Sequence, residues 1–165
     1  MSASSRPVRA ASVRPRPAAI ALAGLGAALA LSLVGALAAW TGQPWLLGSF
    51  GATCALLFAF PDGPFSQPRN VIGGHCLASL VGLIGVHLLG PGWAALGITA
   101  ACALMLMLAT GTMHPPAGSN PVIVFMAQPG WEFLWLPTLA GACLLMLLGR
   151  LYWRCQRRLA RRGSG

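Results

Sequence analysis

The chain has 165 residues, of which 56% are hydrophobic and only 8% are charged. Soluble domains carry about 25% charged residues, so this composition excludes a soluble globular domain and, away from the ends, a disordered chain. Eleven arginines, no lysine, one aspartate and one glutamate give a net charge of +9. Because the arginines flank apolar runs, they indicate membrane anchoring and not nucleic-acid binding.

The chain begins with a basic tail, residues 1–17, which is rich in Ser, Ala, Arg and Pro. We predict that this tail is disordered. A transmembrane domain follows over residues 18–152, and a basic, cytoplasmic C-terminal tail occupies residues 153–165. The five cysteines show no paired spacing, so they predict neither a disulfide framework nor a metal-binding motif.

Four apolar runs are long enough, or nearly so, to cross a bilayer as helices. Two further runs are too short, and each adjoins a polar stretch rich in Pro and Gly, at residues 61–70 and 114–121. The sequence therefore predicts an all-α polytopic membrane bundle of four long helices and two short interrupted or re-entrant segments. The long runs are Ala18–Trp40, Val71–Leu89, Trp93–Thr110 and Leu134–Tyr152, and the short ones are Leu46–Phe60 and Pro121–Ala127.

Along the chain, the order of apolar runs is long, short, long, and this order then occurs a second time. Such a pattern is typical of a three-plus-three repeat. Interrupted segments at corresponding places in two repeats indicate a binding site in transporters. Four arginines precede the first run and six lie at or beyond the end of the last. Both termini are therefore predicted to be cytoplasmic, with an even number of crossings, four or six.

Three polar stretches, Gly48–Thr53, Pro68–His75 and Thr110–Pro121, lie in order between the apolar runs. Together they resemble the HPP family of integral membrane proteins, which takes its name from a His-Pro-Pro tripeptide, here His114-Pro115-Pro116. The resemblance covers roughly residues 18–152. It implies about four transmembrane helices, and because some plant and cyanobacterial members transport nitrite, it makes nitrite a candidate substrate.

The first candidate site surrounds Arg69, which is the only arginine or lysine between residues 17 and 149 of the sequence. An intramembrane arginine is costly and is a functional candidate for that reason. Asn70 follows it at the predicted start of a helix, where free N–H groups and the helix dipole favour anions. The structural residues of this motif are Pro68, Gly73 and Gly74. The alternative is an ordinary cytoplasmic-loop arginine, paired with Asp62.

The second candidate site is the stretch from His114 to Pro121. Pro115, Pro116 and Gly118 prevent a continuous helix, and Ser119 and Asn120 suit a helix start at which Pro121 occupies the first turn. If the two halves converge, two helix N-termini face one site. The alternative is a structural kink in which Ser119 and Asn120 cap their own helix.

The histidines His75 and His114 adjoin the two motifs, so either could donate to a substrate or take part in proton coupling. The alternative is that each is a buried, hydrogen-bonded structural residue. A metal site made by His75, Cys76 and His114 lacks supporting spacing. We therefore predict no metal and no cofactor, and the absence of catalytic motifs predicts no enzyme.

These patterns favour a transporter or channel for a small polar solute, most plausibly an inorganic anion such as nitrite. The alternatives are a non-transporting membrane sensor or scaffold and a membrane metal or redox protein. The expected partners are the lipid bilayer, the solute and further copies of the chain in a homo-oligomer, because small residues on the first run allow close helix packing. The arginine- and alanine-rich composition favours a bacterial inner membrane over an organelle.

Overall fold

A computed structural model describes residues 16–162, with side chains as far as residue 158. Within this range the chain forms six α-helices and no strand. Three single 3₁₀ turns (Pro64–Ser66, Pro115–Ser119, Trp131–Leu134) and one π-helical turn (Trp135–Leu139) connect them. The helices are α1 (Pro17–Thr41), α2 (Phe50–Ala59), α3 (Pro68–Leu89), α4 (Trp93–Thr110), α5 (Asn120–Ala127) and α6 (Ala140–Arg162).

The order of long and short helices confirms the predicted fold class. Four helical stretches are long and apolar enough to span a membrane, whereas α2 and α5 have only 10 and 8 residues. At 1.5 Å per residue these two are about 15 and 12 Å long, roughly half of the hydrocarbon core or less. The predicted disordered tail falls almost wholly on residues 1–15, outside the described range.

Four helix boundaries differ by three residues or more from the sequence-based prediction. Helix α2 begins at Phe50 and not at Leu46, and helix α6 begins at Ala140 and not at Leu134, after the 3₁₀ and π-helical turns. The other two differences are the start of α3 and the end of α6. Helix α3 begins at Pro68 and not at Val71, because proline is well suited to the first helical turn. Helix α6 continues through the basic segment to Arg162, so the predicted boundary after Tyr152 falls inside a helix. Arginine is a good helix former, which explains the extension.

Helices α1 and α4 have mostly exposed apolar side chains, as expected for helices that face lipid. Only Gly26, Ala30 and Val34 of α1 are buried, and this stripe packs towards α2 and α6. The small residues predicted to pack helices closely, such as Gly24 and Ala28, lie on the exposed side of α1.

Helix α5 and the segments that flank it run along α3 from one end of the bundle to the other. Thr112, just after α4, lies against Gly73 near the start of α3. The ring of Trp131, beyond α5, lies 5.0 Å from the ring of His87 near the end of α3. Residues 111–131 therefore make a complete pass through the bundle with only one short helix.

Helix α2 makes an equivalent pass along α6. The backbone of Trp45 lies against Gly141, near the start of α6. At the far end of α2, the carbonyl of Leu57 accepts a hydrogen bond of 2.8 Å from the indole of Trp153. The segment from residue 42 to the end of α2 thus passes through the bundle in the direction of α6.

The described chain passes through the bundle six times, in two halves of three. The packing partners follow the same scheme in both halves: α1 packs on α2 and α6, and α4 packs on α5 and α3. Helices α3 and α6 contact each other and support α5 and α2, respectively. The ends of α1 and α6 that lie nearest the chain termini are at the same end of the bundle, since Gly26 lies against Tyr152.

Candidate functional site

A cluster of polar side chains lies in the apolar interior where the two halves meet. Its members are fully buried and come from five different parts of the chain. They are Thr53 of α2, His75 and Ser79 of α3, His114 before the 3₁₀ turn, Asn120 of α5 and Thr138 of the π-helical turn.

The local structure explains how these side chains meet. His75 and Ser79 are one helical turn apart and therefore share a face of α3. His114 has extended backbone, because the residue before a proline avoids helical angles. Asn120 is the first residue of α5, so its side chain points away from the helix body towards α3.

Two imidazole rings are linked through one hydroxyl group. The Thr53 Oγ1 atom lies 2.9 Å from His75 Nε2 and 3.0 Å from His114 Nε2. The ring centroids of the two histidines are 5.0 Å apart, and Phe50 packs edge-on against His75. The Nε2 atoms of both rings therefore share one hydrogen-bond partner, the Thr53 hydroxyl.

The other nitrogen of each ring also has a partner. His114 Nδ1 lies 2.7 Å from the carbonyl oxygen of Phe65, so it must carry hydrogen and donate. His75 Nδ1 lies 3.1 Å from Asn120 Nδ2, which can only donate. These contacts assign Nδ1–H to His114 and, for the neutral ring, Nε2–H to His75.

Asn120 joins the two halves of the molecule. Its amide nitrogen also lies 2.8 Å from Ser79 Oγ and 3.3 Å from the carbonyl of His75, so one of its two hydrogens is shared between two of its three acceptors. Ser79 Oγ lies 3.0 Å from Thr138 Oγ1. The alternative in which Ser119 and Asn120 cap their own helix is wrong, because the Asn120 amide nitrogen donates to partners on α3 and α5 has no side-chain cap hydrogen bond.

Glycines on α3 allow this close approach. A Cβ atom on Gly74 would lie 2.8 Å from both the Cβ of His114 and the carbonyl oxygen of Thr112. A Cβ on Gly82 would lie 3.1 Å from the Cα of Pro121. The second polar motif can therefore lie directly on α3 only because these positions lack side chains.

The two half-helices begin beside one open groove of about 540 Å³. Ser49 and Ser119, the residues that immediately precede α2 and α5, both line it, together with Pro115 and Pro116. Neither serine makes a side-chain cap; Ser119 Oγ instead donates to the carbonyl of Pro116 at 2.8 Å. The positive ends of two helix dipoles thus meet at one place.

Two buried polar atoms at this junction have no hydrogen-bond partner: Ser49 Oγ and Asn120 Oδ1. Ser49 is 3% exposed and lines the groove. A buried polar atom without a partner is costly, about 1–3 kcal/mol. These two atoms suit a water or a small polar ligand.

Arg69 and Asn70 of the first motif lie apart from this cluster, at the end of the bundle where α1 begins and α6 ends. The exposed Arg69 guanidinium donates to the carbonyl of Thr110 in the last turn of α4. Asn70 Nδ2 donates to the carbonyl of Met113 at 2.7 Å. Both side chains therefore contact the chain that leaves α4, and the structure brings neither to Asn120.

The remaining predicted residues have structural positions. Pro68 starts α3, Gly73 lies against Thr112, and Pro121 is the second residue of α5. Pro115 and Pro116 begin the 3₁₀ turn, and Gly118 faces open space.

The sequence analysis missed four residues of the junction: Ser49, Thr53, Ser79 and Thr138. Ser49 and Thr53 lie within the Gly48–Thr53 stretch, and the four-residue spacing of His75 and Ser79 was the signal that could have indicated a shared face. Among the described residues, no three His, Cys, Asp or Glu side chains are grouped so that they could hold a metal ion.

Spanning helices, exposed apolar faces and interrupted segments define this molecule as a polytopic α-helical membrane protein. The chain belongs to the HPP family, since the family model described as HPP, transmembrane region, matches residues 12–161. It is 37% identical over 113 residues to one transmembrane protein of Dictyostelium discoideum and 33% identical over 114 residues to a second. Each match covers 62% of this chain but only 39% and 36% of those longer proteins. No solved structure matches the chain.

Proposed function

We propose that this protein is not an enzyme but a channel or transporter that passes a small inorganic anion, such as nitrite, through the junction of α2 and α5. The observation that carries the proposal is the convergence of two half-helix N-termini on one groove, with Ser49 Oγ unpartnered beside it. Half-helices that begin inside a membrane bundle supply anion-binding ends in transporters with internal repeats.

The charge distribution supports an anion as the solute. A cavity of about 140 Å³ opens at the end of the bundle that carries the termini, and Arg150 and Arg157 line it with Asp62. Asp62 lies 3.9 Å from Arg157, and both side chains are well exposed. Basic side chains at the mouth of a pathway raise the local concentration of anions.

The setting proposed for this function is the inner membrane of a bacterium, with both termini in the cytoplasm and several copies of the chain in a homo-oligomer. The lipid bilayer and the solute are the other expected partners. No nucleic-acid partner and no cofactor are required.

The test measures anion flux in proteoliposomes that contain the purified chain. Protein-free vesicles give the background, which is the nitrite that leaves as nitrous acid through the lipid alone. We expect nitrite release above background, and a substantial loss of release in the double variant Ser49→Ala, Ser119→Ala. Ser32→Ala, on the exposed side of α1, is the matched control and should behave as the wild type. Wild-type vesicles that release neither nitrite nor another small anion would overturn the proposal and favour the sensor or scaffold alternative. Metal analysis of the same preparation tests the metal or redox alternative.

A further inference from the structure

The shared hydroxyl between two buried histidines determines the direction of a hydrogen-bond chain. Because His114 Nδ1 donates to Phe65, the neutral ring accepts at Nε2, and the Thr53 hydroxyl must donate to it. Thr53 Oγ1 then accepts from His75 Nε2–H, and His75 Nδ1 accepts from Asn120. In every hydrogen bond of this chain, from Asn120 to Phe65, the donor lies on the Asn120 side and the acceptor on the Phe65 side.

We propose that His75, Thr53 and His114 form a proton relay, so that the protein moves protons as well as its solute. A proton from hydronium, or from the acid form of the solute, binds Nδ1 of His75 once the Asn120 amide moves away. His75 then passes its Nε2 proton to Thr53 Oγ1, and Thr53 passes its own proton to Nε2 of His114. One proton has moved from one ring to the other, and Thr53 is again a neutral hydroxyl.

The doubly protonated His114 then releases a proton, from Nδ1, to water at the end of the bundle where Phe65 lies. The side chain of Phe65 is exposed there, and the next residue, Ser66, lines the cavity that contains Arg150 and Arg157. The Thr53 hydroxyl also lies 3.1 Å from the carbonyl of Ser49, to which it can donate. Its single hydrogen can therefore turn between the Ser49 carbonyl and Nε2 of His114, and the transfer requires the orientation towards His114.

Within the described range, no charged side chain contacts the cluster. Besides the two histidines, the packed elements carry thiols (Cys54 on α2, Cys76 on α3, Cys102 on α4, Cys143 and Cys155 on α6), Tyr152 on α6, and Arg69 and His87 near the two ends of α3, and the described arginines of α6 lie in its last turns. No carboxylate or guanidinium in the described side chains has a hydrogen bond or ion pair to the cluster. In the relay, the imidazole nitrogens are the groups that accept a proton within the cluster.

The relay also gives a reason for coupling, which rests on the proposed function. An unpaired charge in the middle of a bilayer is costly, because hydrocarbon cannot solvate it. Arg69, the described arginine nearest in sequence, contacts Thr110 at the end of the bundle. A proton on His75 or His114 would supply the counter-charge for an anion at the junction, so that proton and anion move together.

The experiment measures proton and anion flux separately in the same proteoliposomes, with a pH-sensitive dye inside and an imposed nitrite gradient. We expect protons to accompany nitrite in the wild type, and Thr53→Ser, which keeps the hydroxyl, to retain this proton flux. Thr53→Val, which removes the hydroxyl, should lower the proton flux by about 100-fold. Thr99→Val is the matched control, because Thr99 is buried on α4 with an unpartnered hydroxyl outside the cluster.

The outcomes separate the relay from the solute. Nitrite flux without proton flux in the wild type, or undiminished proton flux in Thr53→Val, would overturn the relay and leave the proposed function standing. Proton flux without anion flux would support the relay and overturn the proposed function. If Thr53→Val does not fold, ¹⁵N NMR spectra of the wild-type histidines test the relay instead, because they report which ring nitrogen carries hydrogen. The relay requires one ring with Nδ1–H and one with Nε2–H. The same tautomer in both neutral rings would contradict it.

Discussion

The guanidinium of Arg69 donates to the carbonyl of Thr110, at the C-terminal end of α4. The last carbonyls of a helix lack intrahelical partners and carry the negative end of its dipole, so a cation is favourable there. This contact accounts for the position of Arg69 without an anion. Binding of the solute by the same side chain is a separate prediction.

Substitution of Arg69 distinguishes the two roles. If the guanidinium binds a planar anion in a bidentate manner, Arg69→Lys keeps the charge but loses the geometry, and Arg69→Gln loses both. We then expect nitrite flux to fall in the lysine variant and nearly to vanish in the glutamine variant, at equal amounts of protein in the membrane. Because the residue is exposed, loss of its contact with Thr110 should cost less than about 1 kcal/mol of stability.

Wild-type flux in Arg69→Lys would contradict bidentate binding of the anion. Wild-type flux in both variants would remove Arg69 from the site and leave the helix-end contact as its role. Arg16→Gln, at the start of α1, is a control for a general loss of positive charge at the same end of the bundle.

Individual site residues were predictable where a residue type is rare in its surroundings. His75, His114 and Asn120 are conspicuous in an apolar chain, and the structure places all three in one cluster. Thr53 was not predictable, since a threonine inside an apolar helix usually bonds its own backbone and gives no periodic signal. Its second role appears only when the partners are brought together from 22 and 61 residues away.

At the scale of elements, the contact between α3 and the second polar motif depends on Gly74. We expect Gly74→Ala to lower the thermal stability of the purified protein, because the new Cβ would meet the Cβ of His114 and the backbone oxygen of Thr112. Overpacking of this kind costs about 1–3 kcal/mol, and the shift of His114 should also reduce flux.

The matched control is Gly24→Ala, where no atom lies within 4 Å of the new Cβ. That variant should be as stable as the wild type or slightly more stable, because alanine favours the helix by about 1 kcal/mol over glycine. Unchanged unfolding in Gly74→Ala would show that the motif can move away from α3, and would weaken the case for a fixed histidine pair.

The elements themselves were largely predictable from the sequence. Long apolar runs give long helices, and clusters of proline and glycine interrupt them, so the order of the six helices follows from length and composition. The docking of α5 onto α3 and of α2 onto α6 was not predictable. It depends on close contacts at single glycines and on bonds between residues far apart in sequence.

At the scale of the whole molecule, the described arginines gather at one end of the bundle. Arg16 immediately precedes α1, Arg69 is the second residue of α3, and the arginines from Arg150 to Arg158 lie in the last turns of α6. The loops at the opposite end contain Glu132. Such an asymmetry orients membrane proteins with the arginine-rich end in the cytoplasm.

We therefore expect reporter fusions at both termini to give cytoplasmic signals. In a cysteine-free background, a cysteine at Gln43 should react with a membrane-impermeant reagent from outside the cell, and one at Asp62 only after the membrane is opened. A periplasmic signal from either terminus, or external labelling of both positions, would contradict six passes with both ends on one side.

The hydrogen bonds at the junction connect one half of the molecule to the other. Six of them join residues 17–89 to residues 93–158: Thr53 and Phe65 to His114, His75 (twice) and Ser79 to Asn120, and Ser79 to Thr138. Side-chain bonds between membrane helices average about 0.6 kcal/mol, so six of them amount to about 3.6 kcal/mol. A state in which the two halves have moved apart and these bonds are open would then be populated at about 0.2% if nothing else opposed it. A proton that rearranges the bonds around Thr53 changes that population directly.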